Sequence, residues 1–510
     1  MRRRVAYPAA ALSLLLVLTA CIPDAPPPVG PTPGGSGAGA WQDCFAKARE
    51  ANPDLSRDLS VECTTVTVPK DWNAPDNGET FGIAVMRIYT GDLEEKQGSV
   101  LTNPGGPGGS GLDFLPYFVE PPAGVGVLAP KALLEEFALV SFDPRGVGES
   151  APVDCISNAD LDEQFGYEPD PISEDAFAGF VAVNQRIADG CEAKYGDDLR
   201  LFSTVQAAKD MDAVRAAVGD EKLTYLGFSY GTLLGAVYAQ LFPEKVRALA
   251  LDGAVDPLAD PIESSAGQAM GFERALTNFA EWCQAHRSQC PIADNPRGAI
   301  AAEIERGRIA PVTGPDGRKA TAGWVLWGVI FALYSQFYWD YLGIAIDNLK
   351  RGDAGLIFAL ADAYADRDEQ GEYSNQFDAF NAINCADAAY PTTEEIRRLQ
   401  AQWRGEYPMF GAALATGLLT CAVWPGEKDP YPTGAATGAP PIVVVGTRGD
   451  PATPYESTPK LADMLGVGVV VTWEGEGHTA YSETSCIQRA VDNYLIDLIV
   501  PEDGLTCPAS

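Results

Sequence analysis

The sequence predicts an α/β protein: a mostly parallel, doubly wound sheet with an inserted helical cap domain. Short apolar and β-branched runs alternate with helical segments up to about residue 256, the pattern of strands joined by crossover helices. From about Pro257 to Pro440 the strand signal nearly vanishes, and segments 262–286, 323–350, 354–366 and 392–404 read as helices broken by Gly and Pro. Strands resume at Ile442-Val443-Val444-Val445 and Gly468-Val469-Val470-Val471. A helical block between two parts of one sheet is a common way to place a cap over a site. The expected organisation is therefore core at 41–256, cap at 257–440 and core again at 441–510.

The first 40 residues read as an address and a tether. Arg2-Arg3-Arg4 precede an apolar run from about Val5 to Leu18, too short for a membrane span but suited to a signal-peptide core. The run ends in Leu18-Thr19-Ala20-Cys21, which resembles a bacterial lipobox, so residues 1–21 are expected to be a lipoprotein signal with Cys21 lipidated. An ordinary secretion signal is the alternative. Residues 22–40 are Pro/Gly-rich and have no means of building a core. Membrane contact is expected only through the lipid on Cys21.

Within the first core segment, Thr64–Val68 and Phe81–Tyr89 read as strands separated by the turn signal Ala74-Pro75-Asp76-Asn77-Gly78. Strand 99–102 runs into the loop Asn103-Pro104-Gly105-Gly106-Pro107-Gly108-Gly109-Ser110, and strand 137–142 ends at Asp143-Pro144-Arg145-Gly146. Asp143 is expected to fix that turn with Arg145 as an ion-pair partner. A helix over 204–218, capped by Ser203 or Thr204, leads to strand 223–226, a further helix from about Tyr230 and strand 248–251.

The net charge of −34 over 510 residues argues against nucleic acid or an anionic membrane surface as a partner, because both would be repelled. Eleven cysteines leave ten once Cys21 is set aside: Cys44, Cys63, Cys155, Cys191, Cys283, Cys290, Cys385, Cys421, Cys486 and Cys507. No Cys-x-x-Cys pair or His cluster has metal spacing, so neither metal nor cofactor is expected, and five disulfides in an oxidising compartment account for the count. Pairing of sequence neighbours would staple each successive region, but spacing alone does not decide connectivity.

The chemistry is concentrated in Gly227-Phe228-Ser229-Tyr230-Gly231, a G-x-S-x-G with an apolar strand before it and a helix after it. So tight a strand-to-helix turn lifts Ser229 above the sheet as a nucleophile and puts the Tyr230 N–H at a helix N-terminus, where it can hold an oxyanion. The chain has two histidines, His286 and His478. Chains that carry this turn place the nucleophile first, then the acid, then the His after the last strands, and only His478 fits that order. Asp450, on the loop after strand 442–445, is the expected acid, with Asp252 and Asp256 as rivals one strand earlier. The second oxyanion donor is expected from the glycine loop after strand 99–102, Gly106 N–H ahead of Gly105. A phosphate loop does not fit, since G-x-x-x-x-G-K-[ST] is absent and the loop has no Lys or Arg.

Together, Asn103-Pro104-Gly105-Gly106-Pro107-Gly108, Asp143-Pro144-Arg145-Gly146-Val147-Gly148, the Ser229 turn and Gly449-Asp450-Pro451-Ala452-Thr453-Pro454 resemble the secreted tripeptidyl aminopeptidase branch of the proline-iminopeptidase-like α/β hydrolases. The resemblance spans about residues 41–507. Proline iminopeptidases carry His-Gly-Gly-Pro at the oxyanion loop; Pro104 stands where that His would be, which fits the tripeptidyl branch better. The resemblance implies an α/β-hydrolase fold and cleavage of short peptides from a free N-terminus, with the cap limiting how much chain enters. It also implies a cap carboxylate for the substrate ammonium, with Asp387 as candidate, while Thr453 lines the cleft or shapes the turn. The competing functions are a carboxylesterase or lipase acting on cell-envelope lipids or small esters, and a binding lipoprotein with a vestigial hydrolase fold.

Overall fold

The computed structural model describes residues 39–122 and 126–509. The expected signal peptide, Cys21 and the tether up to residue 38 lie outside the described residues. Among the described residues, ten strands form one sheet and two form a small hairpin. In chain order they are β1 (Gln42–Asp43), β2 (Ser60–Pro69), β3 (Thr80–Tyr89), β4 (Ser99–Asn103), β5 (Ala138–Phe142), β6 (Leu223–Phe228) and β7 (Val246–Asp252). The hairpin strands β8 (Val312–Thr313) and β9 (Lys319–Ala320) follow, then β10 (Ile442–Gly449), β11 (Gly468–Glu476) and β12 (Leu505–Cys507). The sheet order is β1-β2-β3-β5-β4-β6-β7-β10-β11-β12. Pairing is antiparallel as far as β5 and parallel from β5 to β12. This is an α/β-hydrolase fold.

The central strands explain why their sequences read as unbroken apolar runs. Leu101, Tyr225, Leu249, Leu251 and Val444 face one hydrophobic layer, while Val100, Leu226, Ala248, Ala250, Val443 and Val445 face the other. Both faces are covered, so successive side chains are buried on opposite sides. Helices Thr204–Ala217, Tyr230–Leu241 and Ser457–Leu465 cover the first face; Phe45–Ala51, Gly111–Val119, Lys131–Glu136 and Ser485–Asp497 cover the second. Ser203 caps helix Thr204–Ala217, its hydroxyl accepting the Gln206 N–H.

The cap is wider than the expected 257–440 insertion. Helices Asn158–Gly166 and Glu174–Tyr195, inside the segment expected to be core, share one hydrophobic cluster with the helices from Pro261–Ala285 onward. Phe165 shows why: its ring stacks on Trp324 at 5.7 Å and meets Phe377 edge-on at 4.8 Å. The apolar faces of these two helices are buried by the insertion. The expected helical stretch 323–350 is broken into Ala322–Leu333 and Trp339–Lys350. The intervening residues descend onto the site described below.

The ten cysteines pair as sequence neighbours: Cys44–Cys63, Cys155–Cys191, Cys283–Cys290, Cys385–Cys421 and Cys486–Cys507. Three of these pairs lie in the helical cap, away from the ten-stranded sheet. One turn expectation is corrected. Arg145 is fully buried but pairs with Asp210, Nε to Oδ2 at 2.7 Å and Nη2 to Oδ1 at 2.7 Å, and not with Asp143. Asp143 instead accepts the Ser110 hydroxyl at 2.8 Å and the N–H groups of Leu112 and Glu149, fastening the end of the glycine loop.

Candidate active site

The sheet order reverses at β4: the chain moves from β4 to β5 on one side and returns to β6 on the other. Clefts in doubly wound sheets form outside the carboxyl ends of the strands at such a switch point. Here the loop after β4 is the glycine loop, and the loop after β6 is the Ser229 turn.

Ser229 has φ 55° and ψ −121°, a left-handed conformation that costs a non-glycine residue about 1–3 kcal/mol. The turn is held by its neighbours. A side chain at Gly227 would place Cβ 2.5 Å from the Gly231 oxygen, so only glycine lets the strand turn directly into the helix. The Ser229 N–H donates to the Asp252 main-chain oxygen at 2.9 Å. Ser229 is half-buried, and its hydroxyl makes no hydrogen bond among the described residues.

His478 and Asp450 meet directly. His478 Nδ1 lies 3.0 Å from Asp450 Oδ1 and 2.9 Å from Oδ2. A carboxylate only accepts, so Nδ1 carries the proton and Nε2 keeps its lone pair for a base. Asp450 is fully buried, and its oxygens also accept the N–H groups of Ala452 at 2.9 Å, Thr453 at 2.8 Å and Thr479 at 3.3 Å. Burial disfavours the charged imidazole, but the Asp450 charge and hydrogen bond, joined by the Asp252 charge, outweigh it and raise the His478 pKa above its ordinary value. His478 also adjoins the Ser229 support: a Cβ on Gly253, the residue after Asp252, would lie 3.3 Å from His478 Cε1. His286 is exposed in the cap, where its ring stacks on Trp282.

Thr453 belongs to this pair and not to an open cleft wall. It is 7% exposed, its hydroxyl donates to Asp450 Oδ2 at 2.9 Å, and it lies 3.2 Å from His478 Nδ1. With its single proton given to Asp450, its oxygen takes a share of the Nδ1–H.

On the opposite side, Gly105 presses against the Ser229 turn. Its N–H donates to Asn103 Oδ1 at 3.0 Å, whereas the Gly106 and Tyr230 N–H groups have no partner among the described residues. Gly105 has φ +99°, and a Cβ there would lie 2.6 Å from the Phe228 oxygen and 2.8 Å from Ser229 Cβ. Gly105→Ala is therefore expected to lower stability by about 1–3 kcal/mol and to lower kcat at least tenfold, read by thermal melting and steady-state turnover. Unchanged kcat in a folded Ala variant would separate this loop from the chemistry. Among the described residues, no three His, Cys, Asp or Glu side chains gather to hold a metal ion.

The expectation for Asp387 is corrected. It is 7% exposed, and both oxygens are used inside the fold: Thr204 N–H donates at 2.8 Å and the Thr204 hydroxyl at 2.5 Å. The Tyr230 hydroxyl lies 2.8 Å from the same Thr204 oxygen, so it donates there. Burial pushes the Asp387 carboxyl up to about 7. Position beside Cys385 nominated the residue, but its burial and direction depend on the packing of helix Gln376–Asp387 against Thr204. Sequence reasoning missed Tyr334, which sits in the cap break. Its main-chain oxygen accepts the His478 N–H at 2.7 Å, its ring meets the imidazole edge-to-face at 5.4 Å, and Ser335 bridges Gly477. No local pattern marks Tyr334, because the contact joins segments far apart in the chain.

Comparison with known proteins agrees with this architecture. Residues 407–507 match the family model described as TAP-like protein. The chain is 38% identical to serine protease Hip1 of Mycobacterium tuberculosis, over 92% of this chain and 90% of that one. The chain belongs to the TAP-like α/β-hydrolase family. It is a serine hydrolase. Other TAP-like relatives include tripeptidyl aminopeptidase of Streptomyces lividans, 31% identical over 92% of this chain and 86% of that one. Carboxylesterase B of Mycobacterium tuberculosis is 37% identical over 99% of both chains.

Proposed function

We propose that this TAP-like hydrolase is a serine peptidase that removes short peptides from a free N-terminus. In this reading Ser229 Oγ attacks the peptide carbonyl while its proton passes to His478 Nε2. Asp450 keeps the imidazole in its productive tautomer, and the Gly106 and Tyr230 N–H groups hold the oxyanion. Collapse expels the amine, which takes the proton from His478 and leaves an ester on Ser229. Water then attacks, giving one proton to His478 Nε2, and the acid product leaves as Ser229 recovers its own. The observation that carries the reading is the Asp450–His478 pair held at the rim of the Ser229 turn. The cap directly over His478, through Tyr334 and Ser335, favours short products, and the peptidase names of two relatives agree.

Export to the outer face of the cell membrane, with lipid on Cys21 as the only anchor, is part of the same proposal. The five disulfides support an oxidising compartment. A carboxylesterase of small esters or envelope lipids is the second reading, favoured by the full-length likeness to carboxylesterase B. Tripeptide anilides with a free amine, their N-blocked forms and p-nitrophenyl esters separate the two. The peptidase should lose at least tenfold in kcat/KM on N-blocking. Equal turnover of blocked anilides, with faster cleavage of long-chain esters, would favour the esterase.

A further inference from the structure

Asp252 ends β7, between the strand that carries the Ser229 turn and the strand that leads to Asp450. It is fully buried and has no Lys or Arg partner among the described residues. A buried carboxylate without a cation is costly unless hydrogen-bond donors converge on it. Here the donors are main-chain groups of the histidine turn. Asp252 accepts the Ala480 N–H at 3.1 Å on Oδ1 and 2.9 Å on Oδ2, and the Tyr481 N–H at 2.8 Å on Oδ2. Its main-chain oxygen accepts the Ser229 N–H. Between His478 and the two captured amides stands Thr479 at φ +69°, a conformation that a β-branched residue adopts only under constraint.

We propose that Asp252 is a positioning residue for the hydrolytic reaction: it ties the nucleophile turn and the histidine turn to one strand end and sets a second negative charge beside the imidazolium. This rests on the role assigned above to Ser229 and His478. Asp450 restrains the ring through Nδ1, whereas Asp252 restrains the backbone that carries the ring. The groups facing His478 are Asp450 from the loop after β10, Asp252 from β7, the Thr453 hydroxyl and the Tyr334 ring from the cap. Both charges are negative, so both favour the protonated ring formed during attack. Burial pushes the Asp252 carboxyl up to about 6 against the pull of its N–H donors, which leaves it ionised at neutral pH.

Two substitutions separate the parts of the proposal. In Asp252→Asn an oxygen in the place of Oδ2 can still accept both amides, while the amide nitrogen in the place of Oδ1 gives up the longer 3.1 Å contact with the Ala480 N–H, so the charge and that weaker contact are lost; Asp252→Ala loses the turn as well. The pH dependence of kcat/KM and the kcat–KM split are measured on a free-amine tripeptide p-nitroanilide. Asp252→Asn should keep the wild-type melting temperature and lower kcat by about 10- to 100-fold with little change in KM. Its acid limb should move to lower pH, because removing a negative charge lowers the His478 pKa. Thr447→Val, which removes only the Thr447 hydroxyl bond to the Thr479 oxygen, should leave the limb in place. A folded Asn variant with kcat within twofold of wild type and an unmoved limb would overturn the proposal.

If the Asn variant does not fold, nitrogen-15 NMR of the wild-type sites decides. In a His286→Gln background the Ala480 and Tyr481 amides should show a step near pH 6 from Asp252 and a second step that coincides with the titration of the single remaining imidazole, and amides that register neither step would overturn the proposal. Failure of a fluorophosphonate to label wild-type Ser229 would instead remove the hydrolytic reading beneath it.

Discussion

Ser229→Ala is expected to lower kcat/KM by about 10⁴- to 10⁶-fold while the fold is retained, because the substitution deletes the attacking oxygen and no structural bond. The hydroxyl makes no hydrogen bond among the described residues, so its removal leaves nothing orphaned. The same position supplies an internal control. Ser229 sits at φ 55°, which glycine tolerates and serine does not. Ser229→Gly should therefore be as inactive as the Ala variant yet melt at a higher temperature. Substantial turnover in either variant, measured with active-site titration to exclude wild-type contamination, would move the nucleophile elsewhere.

Asp450→Asn carries the next largest expected effect, a fall of about 10⁴ in kcat. The Asn amide would present a donor to a nitrogen that already bears a proton, and relief of that clash favours the wrong tautomer, with Nε2 protonated and no longer a base. The pH profile should change with it. The Asp450 charge holds the His478 pKa up against burial, so in the Asn variant the ring loses its proton at lower pH and the acid limb of kcat/KM moves down. The effect should exceed that of Asp252→Asn, since Asp450 bonds the ring and Asp252 bonds the backbone behind it. Near-normal activity in Asp450→Asn, with loss in Asp252→Asn, would assign the acid to β7.

Legibility followed the range of the interaction. The Ser229 turn was readable because its constraints are local: a strand, a glycine two residues before, a glycine two residues after and a helix. His478 was nominated because the chain offers two imidazoles and only one follows the strand after the acid, although the short edge strand β12 still lies beyond it. The helices Asn158–Gly166 and Glu174–Tyr195 were missed because their apolar faces are buried only by the insertion that follows much later in the chain. Asp387 looked like a cap carboxylate open to substrate, and the packing turned it onto Thr204. Thr453 had two readings, and its hydroxyl took a third place between Asp450 and His478.

By itself the sequence determined the α/β class, the helical block between two parts of the sheet, the ten cysteines beyond Cys21 and which side chains could serve as nucleophile, base and acid. Residue type, strand periodicity and chain order suffice for these. Only the tertiary structure decided which carboxylate touches the imidazole, which grips the backbone beneath it, which glycine amides remain unpaired and which cap residue lies on His478. Those outcomes depend on the directions of side chains and amides from segments 28 to 228 residues apart, and only the packing of the sheet and its cap sets such directions.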